Sequence, residues 1–268
     1  MSKGNTIEEV INNLKEKYKN SSIMIGELQK NLSVKSFFSG SPGFDIITSI
    51  YGIPCGRILE YYGYESSGKT TFSLINIANV QKQNKEKICA FMDLEYSYDP
   101  VWASKLGVDL NRLIVFQPDN AEETISMINE ILKKNIFSII VIDSIAALVS
   151  LKELEQDIGE FNYPVIARIL SQELKKIVNI CFKNDTILIC LNHLKEKIGV
   201  MFGEKKTTTG GRALKFLSSM RVEFTKTKVL KSGKNDEYMG TEIKLKINKN
   251  KVGLPFGNTK IFLNKNGN

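Results

Sequence analysis

The chain has 268 residues, 42% of them hydrophobic and 25% charged, which excludes a wholly disordered protein and suits one large core, alone or with a small appendage. No run approaches the roughly eighteen apolar residues of a membrane span, and the first residues lack the apolar core of a secretory signal. A cytoplasmic protein with no membrane partner is therefore expected. The formal net charge is +8, but residues 1–182 carry 19 Lys and Arg against 22 Asp and Glu, whereas residues 183–268 carry 18 against 7. Such a basic final third fits a polyanion partner, nucleic acid or an acidic surface, with a solvated lysine-rich face as the plainer alternative.

The elements follow in chain order. Ile7, Val10, Ile11, Leu14 and Tyr18 share one helical face, "SSIMIG" offers a short apolar strand, and "KNLSVKSFFSGSPG" reads as linker. A lone helix and strand cannot bury a core, so residues 1–35 are expected to pack on the main domain or on another copy. From residue 57 onward strands alternate with helices. Strands are predicted over 58–63, 88–95, 113–118, 138–144 and 186–192, with helices over 68–83, 100–106, 121–134 and 165–182. Continuous apolar strands between helices mean a parallel sheet covered on both faces, a three-layer α/β domain.

Periodicity then lapses over residues 193–212, a stretch of glycines, lysines and three threonines with the only histidine, His193, at its root. A loop of this length inside a compact domain binds something or is disordered. Beyond it, "MRVEFTKT" and "TEIKLKINKNK" alternate apolar and polar residues, as antiparallel edge strands do. Cys55, Cys89, Cys181 and Cys190 have no paired spacing and read as reduced core thiols. One histidine and scattered cysteines leave little material for a zinc site or a Ser/His/Asp hydrolase.

"YYGYESSGKTT" matches G-x-x-x-x-G-K-[ST] at Gly63, Gly68, Lys69 and Thr70, between a predicted strand and a predicted helix. The glycines let backbone amides point inward, the helix adds its positive end, Lys69 reaches terminal phosphates and the Thr70 hydroxyl holds magnesium. Glu65, Ser66, Ser67 and Thr71 complete the loop. "IIVID" places Asp143 where a buried strand emerges, suited to magnesium through water. "ICAFMDLE" ends in Asp93 and Glu95, two positions apart and so expected on one side of the strand, and Glu95 is the candidate base for an attacking water, with a purely structural role as the alternative.

These segments, with "AFMDLEYSYDPVWASKLGVD", "VIDSIAAL", "IGVMFGEKKTTTGGRALKF" and "INKNKVGLPF", resemble the bacterial RecA family of strand-exchange recombinases over nearly the whole chain. The resemblance implies a three-layer P-loop NTPase core of RecA type, mostly parallel with antiparallel edge strands. It also implies an ATP- and Mg2+-dependent protein that forms helical filaments on single-stranded DNA and pairs it with homologous duplex. By the same resemblance Glu95 activates water, Asp99 and Trp102 hold adenine, and Ser144 belongs to the nucleotide site with Asp143. Lys249 and Lys251 reach a neighbour's ATP, with Lys215 and Phe216 at that interface.

The resemblance also places two DNA-binding loops, at about 153–164 and 193–212. Arg168, Ser171, Lys175, Lys195, Lys197, Gly210, Gly211 and Arg212 would hold a phosphate backbone without reading bases. His193 stands where the family has glutamine; an imidazole can also donate to a terminal phosphate, and a strand-end residue without a switching role is the alternative. Phe161, Tyr163 and Pro164 make the first loop more aromatic than the family pattern, for base stacking or for an interface. The region 1–35 matches the family's polymerisation arm and 36–268 its ATPase core, while the usual C-terminal domain is absent, which puts duplex capture in doubt. A motor or helicase on the same core, or a recombination mediator, is the competing reading; forked-duplex unwinding or negligible turnover would mark these.

Overall fold

The computed structural model describes residues 6–19, 34–155, 165–196, 206–232 and 237–265. The chain divides into two units, Met1–Lys35 and Ser36–Asn268. In the first, α1 (Ile7–Lys17) starts at a capping box, in which the Thr6 hydroxyl accepts from the Glu9 amide and the Glu9 carboxylate accepts from the Thr6 amide. The "SSIMIG" segment lies outside the described residues.

The second unit opens with β1 (Ser36–Phe37), α2 (Pro42–Ile47) and β2 (Ile53–Pro54), the two strands pairing antiparallel. Part of the expected linker is thus structured. Ser41 caps α2, with its hydroxyl accepting from the Phe44 amide and Pro42 pre-set at the first helical position. Then follow β3 (Ile58–Gly63), α3 (Lys69–Gln83), β4 (Ile88–Asp93), α4 (Pro100–Lys105), β5 (Leu113–Phe116), α5 (Ala121–Lys134) and β6 (Phe137–Asp143). Two helices, α6 (Leu151–Glu155) and α7 (Val165–Asn184), lead to β7 (Ile187–Glu196) and β8 (Lys206–Thr208). The chain closes through α8 (Ala213–Leu217), β9 (Met220–Ser232), β10 (Glu237–Asn250) and β11 (Asn258–Asn264).

The large sheet runs β11-β10-β9-β3-β7-β6-β4-β5, with β8 paired to β7 at one end. Alternate residues of its central strands supply two separate cores. Ile139 and Val141 face a cluster with Phe72 and Ile77 of α3, while Ile140 and Ile142 face one with Ile128 of α5 and Leu174 of α7. This is the expected three-layer arrangement, and all four cysteines are buried free thiols.

Strand β9 pairs parallel with β3 on one side and antiparallel with β10 on the other, so the expected antiparallel edge begins at the β9–β10 pair. Two expectations need correction. The long loop keeps order at its root, where β7 continues to Glu196 and pairs antiparallel with β8. Asp93 and Glu95 do not share a strand face, because β4 ends at Asp93; its buried carboxylate accepts from the amides of Ser97 and Tyr98 and so holds the following turn.

Candidate nucleotide and DNA site

Strand β3 ends at Gly63, and α3 begins at Lys69 after Gly68, whose φ of +85° is left-handed. A Cβ at Gly68 would stand 2.3 Å from the tip of the Ile243 side chain, so a larger residue would have to displace that side chain as well as adopt a left-handed backbone. No side chain caps α3, which leaves its first amides directed at the cavity in front of it. Lys69 donates from Nζ to the carbonyl oxygens of Tyr64 at 2.9 Å and Gly63 at 3.3 Å. Burial lowers its pKa, with Asp143, Glu95 and Glu65 acting in the opposite direction.

Across the cavity mouth, the Thr70 hydroxyl donates to Asp143 Oδ2 at 2.6 Å. Burial pushes the Asp143 carboxyl up to about 6, opposed by the Thr70 hydrogen bond and reinforced by Glu95. Such a pair of hard oxygen donors beside a buried lysine suits a divalent cation shared with phosphate oxygens. Among the described residues no cluster of three or more His, Cys, Asp or Glu is placed to hold a metal unaided.

Glu95 lies beyond the end of β4 and turns back toward β6, where Ser144 Oγ donates to its Oε1 at 2.5 Å. The imidazole Nε2 of His193 stands 3.3 Å from that same oxygen. His193 reaches this point because β3 and β7 run parallel in a register that sets His193 beside Gly63. The serine and the carboxylate, which follow β6 and β4, therefore meet the histidine of β7.

The cavity measures about 720 Å³, and its lining includes Glu65, Ser66, Ser67, Thr71, Glu95, Asp143 and His193 at the phosphate end. Trp102 lines it too. Asp99 does not, because its Oδ1 caps α4 by accepting from the amides of Val101 at 2.8 Å and Trp102 at 3.1 Å. Ser144 is fully buried behind the lining. The lining also takes in Tyr238, Thr241 and Ile243 of β10 with Leu263 and Lys265, residues that sequence reasoning missed. Alternation places Thr241 and Ile243 on one face, but nothing local states what that face covers.

The residues assigned to the neighbour's nucleotide lie away from this lining, grouped at the end of α8. Lys249 donates to the carbonyls of Lys215 and Phe216 at 2.8 Å each, and Lys251 to that of Phe216 at 3.0 Å. These contacts cap the exposed C-terminal carbonyls of a short helix. Burial, with Lys251 and Arg221 nearby, lowers Lys249 to about 8.

Arg168, Ser171 and Lys175 fall on one stripe of α7, with Arg168 and Lys175 exposed. Lys195 is exposed on β7 and Arg212 just before α8. Gly210 and Gly211 take left-handed φ values of +82° and +78°, and a Cβ on Gly211 would meet that of Ala167 at 2.8 Å. The second loop thus returns tightly against the start of α7, where the first loop ends. Most of that first loop, residues 156–164 with Phe161, Tyr163 and Pro164, lies outside the described residues, as does Lys197. Underneath, the buried pair Glu60–Arg221 (2.5 Å) is joined by Asn192, which donates to Glu60 at 2.9 Å and to the Thr209 carbonyl at 3.0 Å.

A mostly parallel sheet with a glycine-rich phosphate loop between strand and helix defines the class of three-layer P-loop nucleotide hydrolases. The pattern of the RecA N-terminal domain family matches residues 5–266. The chain is 43% identical over 257 residues to Protein RecA of Mycoplasma mycoides subsp. mycoides SC, covering 96% of this chain and 73% of that one. It is 42% identical over 254 residues to Protein RecA of Clostridium tetani (94% and 71% covered) and 40% identical over 257 residues to that of Rhodospirillum rubrum (96% and 69%). Among solved structures, the RadB recombinase superposes with a TM-score of 0.64 at 20% identity, covering 86% of this chain and 97% of that one, a likeness of fold. The chain belongs to the RecA family: it is an ATP-dependent DNA recombinase with DNA-dependent ATPase activity. No helix among its described residues is long and apolar enough to cross a membrane.

Proposed function

We propose that the 720 Å³ cavity binds ATP with Mg2+ and that its occupancy sets the DNA-binding loops of a cytoplasmic protein. In this reading the protein polymerises as a helical filament on single-stranded DNA and exchanges it with homologous duplex. The observation that carries it is the convergence of Lys69, Thr70, Asp143, Glu95 and His193 on one cavity at the strand ends. Lys69 and the free amides of α3 receive the terminal phosphates, and Thr70 and Asp143 hold the cation. Bound magnesium supplies charge neutralisation on the phosphate oxygens.

Glu95 accepts the proton of the attacking water through its carboxylate, which Ser144 orients. Trp102 offers the base a stacking face, and Asp99 fixes the start of its helix. His193 shares Glu95 Oε1 and lies at the root of the second loop, so contact with a terminal phosphate would move the loop stem. Lys249 and Lys251 face a neighbour's nucleotide, with Lys215 and Phe216 beside them, and residues 1–35 serve as the arm that links protomers. A head-to-tail contact of this kind builds rings or open helices. Arg168, Ser171, Lys175, Lys195, Lys197, Gly210, Gly211 and Arg212 grip the DNA backbone without base readout.

The test is ATP hydrolysis with and without single-stranded DNA, alongside electron microscopy of the same mixtures. DNA-stimulated turnover with helical filaments is expected. Turnover accompanied by unwinding of a forked duplex, without filaments, would move the assignment to a motor.

A further inference from the structure

Tyr64 opens the phosphate loop directly after Gly63, and no role set out above uses its side chain. The side chain touches both strands at the root of the second DNA loop. Its hydroxyl donates to Glu196 Oε1 of β7 at 3.3 Å, and the ammonium of Lys206 of β8 stands 4.9 Å from its ring centroid. Glu196 and Lys206 are register partners, the residues that flank the undescribed part of the loop. The backbone of Tyr64 is engaged as well, because its carbonyl accepts from Lys69 at 2.9 Å. One residue is therefore held at its carbonyl by the phosphate-binding lysine and at its side chain by both strands of the loop stem.

We propose that Tyr64 is a positioning residue that carries nucleotide occupancy from Lys69 to the stem of the second DNA loop, within one protomer and in parallel with His193. The proposal rests on the ATP and DNA-loop reading above. A phosphate oxygen is a stronger acceptor for an ammonium than a peptide carbonyl, so a bound triphosphate draws Lys69 away from Tyr64. The freed carbonyl allows the Tyr64 peptide to rotate, and the ring moves with it. The stem contacts are one exposed hydrogen bond and one exposed cation–π pair, weak enough to be remade at each nucleotide exchange. The His193 route enters β7 upstream of Glu196 and uses neither of these contacts.

The experiment measures affinity for a labelled oligo-dT by fluorescence anisotropy, with no nucleotide and with a saturating, slowly hydrolysed ATP analogue plus Mg2+. The readout is the ratio of the two affinities. Tyr64→Leu removes hydroxyl and ring, and the ratio is expected to fall by about fivefold or more. Affinity for a fluorescent ATP analogue without DNA is measured beside it, and the ratio is expected to change by more than that affinity, since the side chain lies outside the cavity lining. Tyr64→Phe keeps the ring beside Lys206 and is expected to recover an intermediate ratio. A purely structural Tyr64 would weaken both affinities together and leave the ratio intact, which overturns the proposal while leaving the ATP and DNA reading standing. A wild-type ratio of one would overturn both.

Discussion

The Thr70 hydroxyl donates to Asp143 at 2.6 Å and ties the first turn of α3 to the end of β6 across 73 residues of sequence. Burial raises the Asp143 carboxyl from 3.8 to about 6. A raised carboxyl pKa means that the native state holds the proton more tightly than the unfolded chain, so its contribution is complete below about pH 4 and lost as pH rises to about 6. The shift corresponds to about 3 kcal/mol. Without nucleotide and magnesium, the protein is expected to melt lower at about pH 7.5 than at about pH 5, and Asp143→Asn to remove much of that difference while abolishing magnesium-dependent ATP binding. An unchanged melting difference in the variant contradicts the burial argument.

Glu95→Gln preserves shape and the acceptor oxygen for Ser144 but has no basicity. Hydrolysis is expected to drop by about 10²–10⁴-fold with ATP affinity nearly unchanged, leaving filaments stabilised by uncleaved ATP. Steady-state turnover and equilibrium nucleotide binding check this. Wild-type turnover in the variant would remove Glu95 from the chemistry.

His193→Ala should leave ATP binding nearly intact and abolish the ATP-induced gain in DNA affinity, because the imidazole meets Glu95 from the strand that leads into the loop. His193→Gln, able to donate at the same place, should restore part of the gain. Paired anisotropy titrations with and without nucleotide decide it. A full gain in the alanine variant sinks the assignment.

Lys249 is lowered to about 8 by burial and by the neighbouring Lys251 and Arg221. Its ammonium is therefore lost as pH rises through about 8, and under the proposed role at the subunit boundary a neighbour's phosphates would lose a partner with it. ATP-dependent assembly, followed by light scattering, should weaken between about pH 8 and pH 9.5. Lys249→Arg keeps its charge over that range and should show a flatter profile. Identical profiles would contradict a charge role for Lys249.

Arg221 is bonded to fully buried Glu60 at 2.5 Å and lies over the Tyr62 ring at 4.4 Å. Arg221→Met strands a buried carboxylate and is expected to cost about 3–5 kcal/mol in chemical denaturation. Adding Glu60→Gln should return much of it. A loss no smaller in the double variant would show that packing, not charge, dominates there.

The phosphate loop and the parallel core were legible in the sequence because both are local signals, a fixed glycine and lysine spacing and unbroken apolar strands. Helix α2 was hidden among turn residues although Ser41 and Pro42 announce its start. Its position near a strand end points to Glu95, but alternation does not aim it, since the strand stops at Asp93 and the turn that Asp93 holds directs Glu95 toward Ser144. The part of the lining with Tyr238, Thr241 and Lys265 was not legible, because it arises from pairing of strands distant in sequence from the phosphate loop. Register also escapes the sequence. Only the pairing of β3 with β7 sets His193 beside Gly63.

Strand exchange between a single-stranded circle and a homologous linear duplex, with products resolved on a gel, is the most direct measurement. Joint molecules and nicked circles are expected with ATP and Mg2+, and neither without nucleotide or with heterologous duplex. Products that form equally with no nucleotide, or none with homologous DNA and ATP, would contradict the claim that the filled cavity sets the grip of the DNA loops.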